Sequence, residues 1–322
     1  MSTTGIAGLT LGGGIARLMG KHGMAIDNLL SAEVVLGSGE VVTASEDAEP
    51  DLFWALRGGG GNFGVVTSFE YRAHPLASVL AVVVLHPLEA APQPFSFYRE
   101  SPPTYRTSFL PRPPSCTRPT DRERSCAESR SATRATTPTE PRPTSAPCAS
   151  SAHLPPTWCS AWPYPARNTG ADWLFHEGAL SYWKSAFFSE LSDQAVEVMT
   201  DAFERAPSEL CALGVEDFHG AVTRVAPTAT AYPHREPGYN LLLISQWTDP
   251  AQTDTGIAWA RETIDALSPY MADRSYMNYL PADDQDRVRH AYGRNHERLV
   301  ELKRRYDPDN LFRLNHNIDP KA

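Results

Sequence analysis

The chain has 322 residues, 41% apolar and 21% charged, which is ordinary composition for a soluble globular protein with one or two hydrophobic cores. A net charge of −9 and an acidic isoelectric point near 5.6 exclude the general attraction to nucleic acid or anionic membrane that clustered Lys and Arg would give. No apolar run approaches the roughly 20 residues that span a bilayer, and the first residues lack the basic-then-apolar layout of a signal peptide, so a cytoplasmic address is the default expectation.

Gly5 to Gly14 holds five glycines in ten residues. Such a loop lets backbone N–H groups approach a pyrophosphate or a flat ring edge, although a tight loop between packed elements uses glycine equally well. Its spacing is not the dinucleotide fingerprint, and no apolar strand precedes it. Ser31–Leu36, a Gly-rich turn, and Glu40–Ala44 predict a β-hairpin, and Asp51–Leu56 a short helix. Gly58 to Gly61 are four successive glycines, followed by a strand over Gly64–Tyr71.

Ser101–Ser160 interrupts this pattern. It contains twelve Pro and no Val, Ile, Gly, Asn, Gln, Lys or Met, a composition from which neither a strand ladder nor a helix face is expected. The expectation is either a disordered linker or a stretch translated out of frame. Four of the five cysteines, Cys116, Cys126, Cys148 and Cys159, fall inside it, so they say little about redox compartment. Beyond it, helices are predicted over Asp193–Arg205 and Thr253–Leu267, a buried strand over Tyr239–Trp247, and a last helix over Asp284–Arg305, stopped by Asp307-Pro308. Helices and strands mix without βαβ alternation, which argues for an α+β fold.

Several of these segments together resemble a known family. Asp27-Asn28-Leu29, Asp51 through Arg57 and Gly58 through Thr67 look like the second half of the FAD-binding domain of the vanillyl-alcohol-oxidase superfamily. Tyr276-Met-Asn-Tyr279, Ala291 through Asn295 and Asn310 through Ile318 resemble the closing module of berberine-bridge-enzyme-like proteins. The resemblance implies the second half of a PCMH-type FAD-binding domain over 1–76, an antiparallel-sheet substrate domain covered by helices over 77–270, and a C-terminal module over 271–322 that returns to the FAD domain.

It further implies FAD contacts from Gly8, Gly12, Gly13, Gly14, Asn28, Gly61, Asn62, Gly64, Val65, Val66, Asn315 and Asn317. The implied reaction is oxidase-type hydride transfer from a small-molecule substrate to flavin N5, with reoxidation by oxygen or another acceptor. Tyr279 or Tyr276 would be the proton acceptor, with a phenol pKa lowered by nearby positive charge or by hydrogen bonding to the phenolate. On a strand, residues three apart face opposite sides, so one of the two is expected to face the flavin, with Tyr279 favoured. Met1 falls about where some members place a flavin-linking cysteine, so no cysteinyl link is expected. The histidyl link belongs to an N-terminal subdomain that the resemblance places before Met1. The chain is therefore expected to be a truncated FAD-dependent oxidoreductase, or else a noncatalytic remnant of one. His219, His234 and His316 match no compact metal spacing, and no metal is expected. Neither substrate identity nor oligomeric state is legible.

Overall fold

The computed structural model describes residues 4–76, 79–87, 92–100, 106–112, 126–135, 157–169, 172, 175, 177–284, 287–314 and 316–322. In the first segment β1 (Leu29–Val35) pairs antiparallel with β2 (Val41–Ser45) and with β3 (Val65–Tyr71). The predicted hairpin is present, with Val34 opposite Val42. Helix α1 (Ile6–Leu11) occupies much of what the glycine density suggested was loop. Helix α2 (Met19–His22) follows it, and α3 (Pro50–Leu56) lies where a short helix was expected, with Pro50 in its first turn.

The larger layer is a seven-stranded sheet built from β4 (Val79–Pro87), β5 (Arg106–Arg112), β6 (Cys126–Ala135), β7 (Thr157–Trp162), β8 (Leu180–Phe188), β9 (Ala212–Phe218) and β10 (Gly238–Trp247). Its order is β7-β4-β6-β5-β9-β10-β8, every pair antiparallel. Three of these strands run through Ser101–Ser160, which corrects the expectation that this stretch could form no ladder. The reason is that ladder bonds use the backbone N–H and C=O that every residue but proline carries. Within the three spans only Pro111 lacks the donor. Residues 101–105, 113–125 and 136–156 lie outside the described residues.

Alternation along the strands decides what the sheet's two faces do. Leu213 and Val215 of β9, Leu241 and Leu243 of β10, and Ala186 and Phe188 of β8 are buried against α6 (Asp193–Glu204) and α7 (Thr253–Leu267), where Val196, Met199, Trp259 and Ile264 meet them. The intervening residues, Gly214, Glu216, Leu242, Ile244 and Trp183, face the other way and line a cavity. The period of two thus separates a packing face from a cavity face.

A second core joins the two ends of the chain. Leu52, Phe53 and Phe63 pack with Met277, Tyr292, Leu299 and Ile318. The single C-terminal helix expected over Asp284–Arg305 is instead α8 (Val288–Tyr292) and α9 (His296–Tyr306). Gly293 breaks it at a φ of 46°, a conformation that favours glycine. The Asn295 side-chain amide holds the break in place by donating to the carbonyls of Pro227, Thr230 and Ala231.

Candidate active site

A cavity of about 970 Å³ lies between the glycine-rich first segment and the open face of β8, β9 and β10. One side is formed by Gly8, Gly12, Gly61 and Asn62, the other by Trp183, Glu216, Leu242 and Ile244, with Tyr279 also in its wall. A Cβ built on Gly8 or Gly61 would meet nothing within 4 Å, so bare backbone borders open space on that side. His316 also lines the cavity, and the buried His316 Nδ1 and Asn317 Oδ1 have no hydrogen-bond partner among the described residues. Bare backbone beside buried polar atoms without partners suits a flat heteroaromatic ligand with polar edges.

Tyr276 ties this side to the sheet. It is fully buried, and its hydroxyl oxygen accepts from the backbone N–H of Gly14 at 3.0 Å, from that of Ile15 at 3.1 Å, and from Asn278 Nδ2 at 2.9 Å. Its own backbone N–H donates to Ser185 Oγ at 3.3 Å on β8. Gly14 adopts a φ of 85°, and a Cβ there would sit 2.3 Å from that of Ala25, so glycine is required for the loop to reach the tyrosine. Tyr276→Phe strands two backbone donors and one amide donor in the interior, each costing about 1–3 kcal/mol if unrelieved. A drop in melting temperature of several degrees is expected, and an unchanged melting temperature would refute the clamp.

Met277–Tyr279 forms a 3-10 turn, not the strand on which the two tyrosines were expected to diverge. In that turn residues three apart eclipse. The rings of Tyr276 and Tyr279 therefore pack edge to face, 4.7 Å between centroids. Nor is either phenol acidified. Burial, with the nearby Glu216 charge, pushes the Tyr279 pKa well above its usual value. Burial outweighs the three donated hydrogen bonds and pushes Tyr276 up to about 12.

The group whose pKa does move toward neutrality is Glu216, which the sequence reading missed. Burial pushes its carboxyl up to about 7, and hydrogen bonds from Asn240 and Tyr279 and the charge of Arg17 offset only part of that. Tyr279 Oη donates to Glu216 Oε1 at 3.2 Å, and Asn240 Nδ2 donates to Oε2 at 2.7 Å. Ser185 Oγ in turn donates to Asn240 Oδ1 at 2.9 Å. This network crosses three adjacent strands and fixes the carboxylate in the cavity wall.

Among the predicted cofactor residues, Gly8, Gly12, Gly61 and Asn62 line the cavity, and Asn317 carries one of the partnerless polar atoms. The described lining does not include Gly13, Gly14, Asn28, Gly64, Val65, Val66 or Asn317. Gly13 packs beside Met24, Tyr232 and Tyr276, and Gly64 admits the backbone of Val35. Asn28 donates to the carbonyls of His22 and Met24 and bonds through Oδ1 to His74 Nε2 at 2.6 Å. Val65 is exposed on β3 and Val66 pairs with Val34. Asn315 lies outside the described residues. Asp27, singled out by the resemblance, receives both Arg235 Nη atoms at 2.8 Å. No three His, Cys, Asp or Glu side chains converge as metal ligands among the described residues. His234 Nε2 instead donates to the His290 carbonyl, and burial lowers the His234 pKa to about 4. Nor, among them, is any helix long and apolar enough to cross a membrane.

Comparison with known proteins places this site in a family. Residues 275–319 match the family model described as berberine and berberine like. The chain is 28% identical over 329 residues to an FAD-linked oxidoreductase of Dictyostelium discoideum, covering 99% of this chain and 69% of that one. It is 32% identical over 349 residues to an FAD-linked oxidoreductase of Pyricularia oryzae, covering 99% and 66%. The fold superposes on the solved structure of a berberine-bridge-enzyme-like protein of Physcomitrella patens with a TM-score of 0.78 at 23% identity, covering 97% of this chain and 70% of that one. The chain thus spans about two-thirds of the length of these relatives. It belongs to the berberine-bridge-enzyme-like family of FAD-linked oxidoreductases.

Proposed function

We propose that the cavity is where FAD and substrate meet, with Gly8, Gly12, Gly61, Asn62, His316 and Asn317 against the cofactor and Glu216 as the proton acceptor. The carrying observation is a buried carboxyl, its pKa pushed up to about 7 by burial, hydrogen-bonded to Tyr279 in the wall opposite the bare glycine backbone. FAD, when bound, supplies the two-electron acceptor for a hydride leaving the substrate carbon. Glu216 takes the proton from the substrate hydroxyl as the carbonyl forms, so the substrate loses one hydride and one proton in all. A base with a pKa near the working pH is suited to that transfer. Tyr279, its phenol kept neutral, donates to the Glu216 carboxylate and orients it.

FAD is proposed to be held without a cysteinyl bond. Cys211, the one cysteine among the described residues outside Ser101–Ser160, is buried in the core between the sheet and its helices, and burial raises its thiol pKa. The test is to add excess FAD, desalt, and record flavin absorbance before and after acid precipitation. Yellow colour retained through desalting and released by acid is expected. A colourless protein after desalting would overturn the proposal of FAD binding, and colour retained in the acid pellet would overturn the noncovalent attachment.

A further inference from the structure

We infer that Asn240 is a positioning residue for the proton acceptor: it holds an N–H donor on Glu216 Oε2 and so favours the charged, proton-accepting form of that acid, an assignment that rests on the reading of Glu216 as the base. The described lining of the cavity includes Glu216 but neither Asn240 nor Ser185, and both of these are fully buried. Asn240 therefore acts on the acid from behind, out of reach of a substrate. Register puts it there. Asn240 is the direct partner of Glu216 across β10 and β9, and Ser185 stands opposite Leu242, two residues further along β10 and so on the same face.

A primary amide can present either its N–H or its carbonyl oxygen, and the far end of the chain of hydrogen bonds decides which. The Tyr276 backbone N–H can only donate, and it donates to Ser185 Oγ at 3.3 Å. The single Ser185 hydroxyl proton is then left for Asn240 Oδ1, at 2.9 Å. With its oxygen so engaged, Asn240 turns Nδ2 to Glu216 Oε2 at 2.7 Å, the length of a hydrogen bond to a charged group. The direction is thus imposed by a backbone group that only a proline would remove. A donor held on a carboxylate favours the charged form against the burial that penalises it. Tyr279 Oη supplies a second, longer bond at 3.2 Å to Oε1, and Arg17 a nearby positive charge. Tyr276 and Tyr232, the other titratable side chains that interact with this charge among the described residues, are kept neutral by burial. Of the groups around the acid, Asn240 makes the shortest bond and is the one whose direction the fold fixes.

Infrared titration of the full chain tests this without substrate or turnover, reading the protonated Glu216 carboxyl as the band that Glu216→Gln removes. Asn240→Leu, which deletes the donor, is expected to raise the titration midpoint by about one pH unit, tenfold in proton affinity. Asn240→Asp keeps the shape and the bond from Ser185 but sets a second carboxyl against the first. It should raise the last deprotonation further, as two carboxyls sharing one proton do. A role in packing alone would leave the midpoint of this near-isosteric variant where it was. An unchanged midpoint in either folded variant overturns the assignment, and should Asn240→Leu not fold, Asn240→Asp decides. The reading of Glu216 as the base fails separately, if Glu216→Gln turns over substrate at the parental kcat.

Discussion

Glu216→Gln is expected to lower kcat by about two to four orders of magnitude, the usual contribution of a positioned general base, while FAD retention after desalting stays unchanged. The amide keeps the shape and the hydrogen bond from Tyr279 but cannot take a proton at any accessible pH. In the parent chain kcat/KM should rise with pH and level off above an apparent pKa of about 7, because burial keeps the Glu216 carboxyl protonated below that point. In the variant that rise should vanish. Stability should respond in the opposite sense. A carboxyl whose folded pKa is raised adds stability below its unfolded value of about 4.3, and that stability is lost as pH rises through the folded value. Glu216→Gln should therefore melt higher than the parent at pH 8 and not at pH 4. A variant with parental kcat, or an unchanged pH profile, would eliminate Glu216 as the acceptor.

Lys303→Ala is expected to destabilise the chain by about 3–5 kcal/mol, the range for removing one partner of a buried ion pair. Lys303 is fully buried in α9, and its Nζ donates to Asp307 Oδ2 at 2.6 Å, to Phe312 O at 2.7 Å and to Asn62 O at 2.8 Å. Asp307 also accepts from the backbone N–H of Leu311 and Phe312. Burial alone would raise the Asp307 pKa, yet the hydrogen bonds from Lys303 and from those N–H groups outweigh it and hold the carboxyl below its usual value. The stability from that depressed pKa is present above about pH 4 and is lost as pH falls through the folded value. Chemical denaturation at pH 7 provides the measurement. Adding Asp307→Asn to Lys303→Met should recover part of the loss, since no lone charge is then left inside. A loss within about 0.5 kcal/mol, as for a surface change, would refute this account. Because Lys303 also holds the Asn62 carbonyl, the single variant should weaken FAD retention too.

What the sequence made legible followed from period and punctuation. The hairpin of β1 and β2, the buried strand Gly238–Trp247 and the helix Thr253–Leu267 carry repeats that local chemistry enforces. The C-terminal break escaped because Gly293 acts through a positive φ and Asn295 through carbonyls more than sixty residues away. Glu216 escaped for a related reason. Its neighbours Val215 and Asp217 are both buried, so the acid lies in a short run with little contrast. One signal was present: Leu213 and Val215 alternate toward the helices, which turns Gly214 and the next residue after Val215, Glu216, to the opposite side of the sheet. The tyrosine pair was placed on the wrong element, since Met277–Tyr279 is a 3-10 turn and not a strand, yet among the described residues Tyr279 lines the cavity and Tyr276 does not.

The Tyr276 clamp has a geometric corollary. Its hydroxyl grips the Gly14 and Ile15 N–H groups, while its backbone N–H grips Ser185, from which Asn240 and then Glu216 follow. A single residue, Tyr276, therefore works as a ruler between the loop beside the proposed cofactor residues and the acid that would take the proton. Insertions in distant loops, or a remodelled strand edge, can alter what the cavity admits without altering that spacing. On the proposed assignment, the interval between flavin and base would thereby be insulated from drift in specificity.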